Sequence, residues 1–218
     1  MARFSSPRIA IVLIFVFVTA GWVGGPANLY DDEAVRTLAF VRGTWPPLSS
    51  AAVAFTQLGS AYATLGLAAV AALWLWRQGH RRKAAFLAAA VASERLAADG
   101  LKLLFDRSRP AFDLHPVTVS SSSFPSGHAA NSMAVFLLVA LIAVDGRHRR
   151  LAVTLALVMA LLIGLSRPFL GVHWPSDVVG GWALGMLAVW VAIAAARGFG
   201  LEGSSRRGLE TLSNGREG

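Results

Sequence analysis

The stretch from Val119 to Asn131, VSSSSFPSGHAAN, places small polar residues, a proline, a glycine and a histidine between two strongly apolar regions. Its plainest interpretation is a loop that ends in a helix cap, since serine after proline commonly begins a helix. The alternative is a phosphate-binding turn with a proton donor beside it, because the first amides of a helix bind anions. Support for the second interpretation has to come from other parts of the chain.

Composition identifies the chain as a membrane protein. Of its 218 residues, 55% are hydrophobic and 15% are charged, whereas soluble domains carry about 25% charged residues. The net charge of +8 does not indicate a nucleic-acid partner, because the basic residues form short clusters between apolar runs. The absence of cysteine excludes disulfides, thiolate metal sites and cysteine nucleophiles.

Six apolar segments predict an all-α bundle of six transmembrane helices. A span takes about 20 apolar residues, and the first and fifth segments are short by that measure; a membrane barrel would instead show alternating segments of about ten. The first segment also fits a secretory signal peptide, but no clean cleavage site follows it, so we expect a retained helix. The segments are 9–23, 49–76, 84–105, 127–144, 151–165 and 178–196.

The distribution of basic residues predicts the orientation. The second and fourth connections, 77–83 and 145–150, contain four and three Lys or Arg residues, so they and both termini are expected in the cytoplasm. The first, third and fifth connections then face outward. We expect a first helix and outward loop at 1–48, a core at 49–197 and a flexible cytoplasmic tail at 198–218.

The third apolar segment contains ionisable residues, which are costly in a membrane. For Glu94, Arg95 and Asp99 we expect an ion-pair ladder that holds helices together, since such residues three or four apart share a helix face. Lys102 and Arg109 instead lie near the outer end of the segment, just before a helix-stopping proline. Two cations beside an outward loop could bind an anion, although such residues usually only extend to the membrane surface.

The remaining candidates lie at the starts and ends of later spans. Ser126 and Gly127 begin the fourth span, where we expect their amides among the unpaired donors of a helix N-terminus, with His128 next to them. Ser126 as an ordinary helix cap and His128 as a structural histidine are the alternatives.

The sequence SRPFLGVHWPSD, 166–177, supplies the third group. Arg167 closes the fifth span, and Asp177 opens the sixth. Asp177 could hold one ring N–H of His173 and so free the other nitrogen as a nucleophile; a plain helix cap and an interfacial histidine are the alternatives. Because all three groups border outward connections, together they favour phosphoryl-transfer chemistry.

These motifs resemble those of the type 2 phosphatidic acid phosphatase (PAP2) superfamily, the membrane lipid phosphatases related to vanadium haloperoxidases. The family pattern is K-x6-RP, PSGH and SR-x5-H-x3-D. The chain has KLLFDRSRP at 102–110, PSGH at 125–128 and SRPFLGVHWPSD at 166–177. Every signature position is filled, and the resemblance covers roughly residues 50–196. It implies a six-helix bundle of the PAP2/haloperoxidase-like type. Pro168 and Phe169 depart from the usual residues after the arginine, which affects access geometry and removes no catalytic group.

The resemblance also implies residue roles. His173 would attack phosphorus to form a phosphohistidine, Asp177 would orient it, and His128 would protonate the leaving group. No metal or other cofactor is expected. The phosphate-binding residues implied by the resemblance are Lys102, Arg109, Ser126, Gly127 and Arg167.

We therefore expect a lipid phosphate phosphatase of the inner membrane with its site on the outer face. Undecaprenyl diphosphate, weakly favoured, phosphatidylglycerol phosphate and phosphatidic acid are the candidate substrates in the bilayer, and the oligomeric state stays open. One alternative is a phosphotransferase that passes the phosphate to a lipid acceptor. The other is a non-catalytic bundle that binds lipid headgroups. The apolar spans disfavour a soluble haloperoxidase.

Overall fold

The computed structural model of the chain describes residues 6–111 and 121–198, and every regular element in these ranges is helical. The all-α class is therefore confirmed, and each of the six apolar segments is largely helical. The helices are α1 (Pro7–Val23), α2 (Leu29–Thr44), α3 (Pro46–Thr56), α4 (Ala61–Arg77), α5 (Arg81–Phe105), α6 (Gly127–Ile142), α7 (His148–Phe169) and α8 (Pro175–Gly198), with a 3₁₀ turn (Gln57–Gly59) between α3 and α4.

The second apolar segment is not one continuous helix but two that meet at a bend of 45°. After the break, Ser60 begins α4 by accepting a hydrogen bond from the Ala63 amide at 3.2 Å. Gly59, at the break itself, is buried beside His128, and a side chain there would overlap Ile163. The break is therefore packed against the start of α6 and the end of α7.

The sequence did not predict α2, which occupies the connection after α1. Its first turns are charged, so a search for apolar runs passes over it. The Asn28 side chain caps it by accepting hydrogen bonds from the amides of Tyr30 (3.0 Å) and Asp31 (3.1 Å). Near its other end, Arg42 donates to the Phe169 carbonyl at 2.7 Å. This helix consequently lies at the end of the bundle where α7 stops.

Fewer helices than expected have the length and composition of a membrane span. In the ranges that the structure describes, α7 and α8 qualify, and the bent pair of α3 and α4 would make a third. Both α1 and α6 are apolar but short, with 17 and 16 residues. The 25 residues of α5 are long enough, but the helix carries the charges at Glu94, Arg95, Asp99 and Lys102.

Six helices meet at one end of the bundle with alternating direction. Helices α1, α5 and α7 finish at this end, α4, α6 and α8 begin there, and Thr56, the last residue of α3, lies beside them. Direct contacts tie the ends together: Gly21 approaches Phe105, Gly127 approaches Lys102, Ser166 donates to Thr56 at 3.0 Å, and the Ser126 amide donates to the Asp177 carbonyl at 3.0 Å. The side chains of these helix ends therefore share one small region.

Helix α6 forms the centre of the bundle. It packs against α4, α5, α7 and α8, and most of its side chains are buried. Gly181 and Gly185 of α8 permit close approach, since a Cβ atom at either would lie 2.6 Å from a carbonyl oxygen of α6 or its cap, that of Ser126 or Ala130. The N-terminal halves of α6 and α8 are thus held at a fixed spacing.

Helix α8 contacts the first described residues and contains the last one. The first helix packs along it, and Trp190 of α8 donates to the Ser6 carbonyl just before α1 at 3.3 Å. Gly198 is the last residue of α8. The rest of the predicted tail, from 199 onward, lies outside the described residues.

The close contact at Gly181 predicts a large cost for one added methyl group. We expect Gly181→Ala to lower the free energy of unfolding by about 1–3 kcal/mol, because its Cβ must displace backbone. Gly66→Ala is the matched control, since nothing lies within 4 Å of a Cβ at that position, and it should be neutral or stabilising by up to about 1 kcal/mol. Thermal unfolding in detergent micelles measures both. Equal unfolding temperatures for the two variants would contradict the packing described.

Candidate active site

The eight residues singled out in the sequence all lie at the end of the bundle where the six helices meet. Each comes from a helix terminus or from the loop beside it. Lys102 is in the last turn of α5, Arg109 follows that helix, Ser126 precedes α6, Gly127 and His128 begin it, Arg167 is in the last turn of α7, His173 precedes α8, and Asp177 is in its first turn. The structure brings all eight together.

Hydrogen bonds determine the tautomer of His173. Its Nδ1 lies 3.4 Å from Asp177 Oδ2, and its Nε2 lies 3.2 Å from Arg109 Nη1. A guanidinium group can only donate, so Nε2 is the acceptor and Nδ1 carries the proton. The neutral ring therefore directs its lone pair towards Arg109 and its N–H towards the carboxylate.

Burial keeps this ring uncharged. His173 is 2% exposed. Desolvation lowers the pKa of His173 to about 3, and the Asp177 carboxylate only partly offsets this effect. The imidazole is consequently neutral at physiological pH, and its Nε2 lone pair is available as a nucleophile.

The Asp177 carboxylate is fully buried and accepts hydrogen bonds at both oxygens. Oδ1 accepts from Arg107 Nη1 at 2.8 Å. Oδ2 accepts from the Ser123 hydroxyl, from the Trp174 amide at 2.8 Å and from His173. The helix-cap interpretation of Asp177 is thus correct in part, since it caps the start of α8 through the Trp174 amide. The same carboxylate also orients the histidine.

Lys102 and Arg109 form one cationic group. Both donate to the Ser121 hydroxyl, at 3.1 and 3.3 Å. Arg109 also donates to the carbonyls of Ser121 (2.8 Å) and Val172 (2.6 Å), which fixes its guanidinium beside His173. Burial lowers the pKa of Arg109, and Asp177 opposes the shift, but an arginine keeps its charge in proteins.

Arg167 supplies a third cation from α7. It is 3% exposed, and its Nη1 donates to Thr56 Oγ1 at 2.9 Å. Its Nε is buried and has no acceptor among the described residues. A buried donor without a partner is costly, so a ligand oxygen at this position would be favourable.

Ser126 differs from the expectation in one respect. Its amide is not an unpaired donor, because it donates to the Asp177 carbonyl at 3.0 Å. Its side chain does not cap α6, and the hydroxyl is buried with no partner among the described residues. The hydroxyl is therefore the group that Ser126 can offer to a ligand.

Gly127 and His128 occupy the first turn of α6. The Gly127 amide is at the first helical position, where a helix provides no internal acceptor, and a Cβ there would lie 3.6 Å from Lys102 Nζ. His128 lies beside Gly59, since a Cβ atom at Gly59 would be 3.4 Å from His128 Cδ2. The N-terminus of α6 is therefore next to Lys102 of the cationic group, and His128 belongs to the same helical turn.

The ion-pair ladder predicted on α5 is reduced to one pair. Arg95 Nε lies 2.9 Å from Asp99 Oδ2, with both side chains partly exposed. Glu94 is buried, and its Oε1 has no partner among the described residues. Lys102 turns to Ser121 rather than along the helix. The ladder therefore does not connect α5 with its neighbours.

Sequence reasoning missed several polar residues of this region. Ser123 lies in the serine run 120–123, five residues before His128. Its closeness to the PSGH motif was the only sequence feature that could have identified it. Thr56, which contacts Arg167, and Asp31, which accepts from the Ser176 amide at 3.0 Å, carry no sequence signal. Within the described residues, no group of three or more His, Asp or Glu side chains could hold a metal ion.

Comparisons with known proteins identify relatives of this chain. The family model described as PAP2 superfamily matches residues 83–199. Phosphatidylglycerophosphatase B of Bacillus subtilis (strain 168) is 28% identical over 185 residues, which are 82% of this chain and 89% of that protein. An undecaprenyl-diphosphatase of Sulfolobus acidocaldarius is 33% identical over 95 residues, 43% of this chain and 41% of that protein.

A solved structure shares the fold. The crystal structure of a transmembrane PAP2-type phosphatidylglycerolphosphate phosphatase from Bacillus subtilis superposes with a TM-score of 0.79 and 26% sequence identity. The match covers 89% of this chain and 97% of that one. The all-helical architecture is therefore that of PAP2 phosphatase structures.

The contacts of His173 predict its spectrum. With ¹⁵N-labelled histidine, His173 should show the neutral Nδ1–H tautomer from pH 8 to 5, because a lowered pKa means that the ring gains a proton only as the pH falls towards about 3. His173→Gln assigns the resonances. A protonation midpoint near the ordinary value of about 6.5, or an Nε2–H tautomer, would contradict the geometry.

Proposed function

The chain belongs to the PAP2 superfamily, and on that premise we propose that it hydrolyses the terminal phosphate of a membrane lipid through a phosphohistidine intermediate. The observation that carries the proposal is the His173 ring. It is buried and neutral, with Nδ1–H directed to Asp177 and Nε2 directed into a group of cations.

In the first step, the Nε2 lone pair of His173 attacks phosphorus while the bond to the leaving oxygen breaks. The ring then carries positive charge, which the Asp177 carboxylate stabilises through the Nδ1–H contact. His128 gives a proton to the departing oxygen. In the second step, His128 takes a proton from water, whose oxygen displaces His173 from phosphorus and releases phosphate.

The cations provide most of the stabilisation that this reaction needs. Lys102, Arg109 and Arg167 would hold the equatorial phosphate oxygens, together with the Ser126 hydroxyl and the Gly127 amide. Arg109 donates to Nε2, but an anionic phosphate is a stronger acceptor than a neutral ring nitrogen. Phosphate binding would therefore draw Arg109 away from the nucleophile.

The substrate is a lipid phosphate ester or diphosphate. The names of the relatives support phosphatidylglycerol phosphate and undecaprenyl diphosphate, and phosphatidic acid offers the same terminal phosphate. All the groups that would contact the phosphate lie at helix ends. They would therefore recognise the headgroup of the lipid and not its tails. The proposed mechanism needs no metal ion, because Lys102, Arg109 and Arg167 would supply the positive charge that stabilises the transferring phosphate.

We propose six membrane crossings, made by α1, the bent pair of α3 and α4, and α5 to α8. The alternating direction of these helices at the site supports this topology. The basic connections at 77–83 and 145–150 support a cytoplasmic position for the opposite end. The site then faces outward from the inner membrane. In this arrangement 1–48 forms the first crossing and an outward region, 49–197 the catalytic core, and 198–218 a cytoplasmic tail.

Loss of the nucleophile tests the proposal. We expect the purified protein in detergent with EDTA to release phosphate from at least one of the three lipids, and His173→Ala to lower kcat by about 10³-fold or more. His80→Ala is the matched control, because it replaces an exposed histidine between α4 and α5. Thermal unfolding confirms that both variants are folded.

The same assay separates the alternatives. Labelled phosphate that appears on an acceptor lipid rather than in water would identify a transferase. A folded wild-type protein that binds the lipids and releases no phosphate would overturn the proposed hydrolysis in favour of headgroup binding.

Leaving-group dependence tests the role of His128. A general acid matters most when the departing oxygen is a poor leaving group. We expect His128→Gln to reduce kcat for a lipid phosphate monoester by about 10²–10⁴-fold, and to reduce kcat for p-nitrophenyl phosphate much less. Equal losses on the two substrates would show that His128 is not the acid.

A further inference from the structure

Arg107 is a buried cation that the proposed mechanism does not use for phosphate binding. It lies in the loop after α5, next to Asp106, whose φ of 37° ends the helix in a left-handed conformation. Its side chain is only 7% exposed. Such a side chain is costly unless its donors are paired.

The guanidinium group of Arg107 joins two parts of the bundle. Nη1 donates to Asp177 Oδ1 at 2.8 Å and to the Ser176 hydroxyl at 3.1 Å. Nη2 donates to the carbonyls of Ala20, at 2.9 Å, and Gly21 in the last turn of α1. One planar group therefore connects the end of α1 with the start of α8.

Neighbouring residues hold the guanidinium in place. Its central carbon lies 4.5 Å from the centre of the Phe124 ring, in a cation–π contact. Ser122 accepts from the Arg107 amide at 2.9 Å, and the Arg107 carbonyl accepts from the Ser123 amide at 2.8 Å. Both the backbone and the side chain of Arg107 are thus fixed beside Ser122, Ser123 and Phe124.

The two oxygens of Asp177 have separate partners. In the described residues, Arg107 provides the contact to Oδ1, while Oδ2 accepts from His173, Ser123 and the Trp174 amide. Without Arg107, Oδ1 of Asp177 would be a buried anionic oxygen with no partner among the described residues, and only the contacts to Oδ2 would orient the carboxylate. Removing one partner of a buried ion pair leaves the other uncompensated.

We propose that Arg107 is a positioning residue, which holds the Asp177 carboxylate so that Oδ2 fixes the tautomer and direction of the His173 ring. This inference rests on the proposed role of His173 as the nucleophile. Arg107 has its Nη1 and Nη2 donors engaged with protein acceptors, so it is distinct from the phosphate-binding cations. It acts on the rate of the chemical step through Asp177.

The kinetic test uses Arg107→Gln, Arg107→Lys and the matched control Arg95→Gln, which removes a partly exposed arginine of α5. For Arg107→Gln we expect kcat to fall by about 10- to 100-fold, as is common when a residue that orients a reacting group is lost. KM for the lipid should change less than about threefold, because no phosphate contact is lost. Arg107→Lys should recover part of the loss, and Arg95→Gln should match the wild type.

A double-mutant cycle distinguishes positioning from general damage to the fold. If Arg107 acts through Asp177, Arg107→Gln should cost little further activity in an Asp177→Asn background. Multiplied losses would overturn the proposal. So would a large rise in KM with kcat unchanged, which would make Arg107 a binding residue.

A spectroscopic test is independent of turnover. In ¹⁵N-histidine spectra, Arg107→Gln should cause His173 to lose its single Nδ1–H tautomer, while Arg107→Lys should keep it. An unchanged His173 spectrum in folded Arg107→Gln would overturn the positioning role, whatever the enzyme activity. Absence of phosphate release by the wild type, with the tautomer changed in the variant, would instead count against the proposed hydrolysis alone.

Discussion

The Asp177 carboxylate is the constraint on which the rest of this region depends. A fully buried anion requires compensation by hydrogen bonds and a counter-charge. Its partners come from the loop after α5, the segment before α6 and the residues just before α8. Through Arg107, the same carboxylate is also linked to the last turn of α1. Satisfying one charge therefore fixes the relative positions of several helix ends.

The charges around Asp177 are unbalanced. Lys102 and Arg109 both donate to the Ser121 hydroxyl, and the buried Arg167 lies in the same region, so like charges are held near one another. Arg107 pairs with Asp177 at 2.8 Å, whereas Lys102, Arg109 and Arg167 donate to hydroxyl or carbonyl oxygens. In the proposed function, a phosphate with two negative charges would relieve the repulsion between the fixed cations when it binds. The fold would thus maintain an unfavourable arrangement whose relief contributes to binding the anion.

Local sequence patterns predicted the six apolar segments, which are largely helical, and singled out the eight residues that lie together at one end of the bundle, because apolar runs and motif spacing are properties of neighbouring residues. Features set by contacts between distant segments were not predictable. The break after Thr56 depends on its packing against α6 and α7, and α2 depends on its position at the end of the bundle. The Ser126 amide was expected to be unpaired, but its acceptor is 51 residues away in α8. Arg107 resembled any other basic residue at a membrane surface until its partners were known.

Because the site lies at helix ends, different parts of the protein would recognise the headgroup and the tails of a lipid. The helix N-terminus at Gly127 and the cations at Lys102, Arg109 and Arg167 can contact only a headgroup that reaches the end of the bundle. The lipid tails would meet the apolar faces of the helices, which contain none of the motif residues. The motif residues would therefore place little constraint on the tail. Relatives of the chain are named for lipids as different as a glycerophospholipid and a polyprenyl diphosphate.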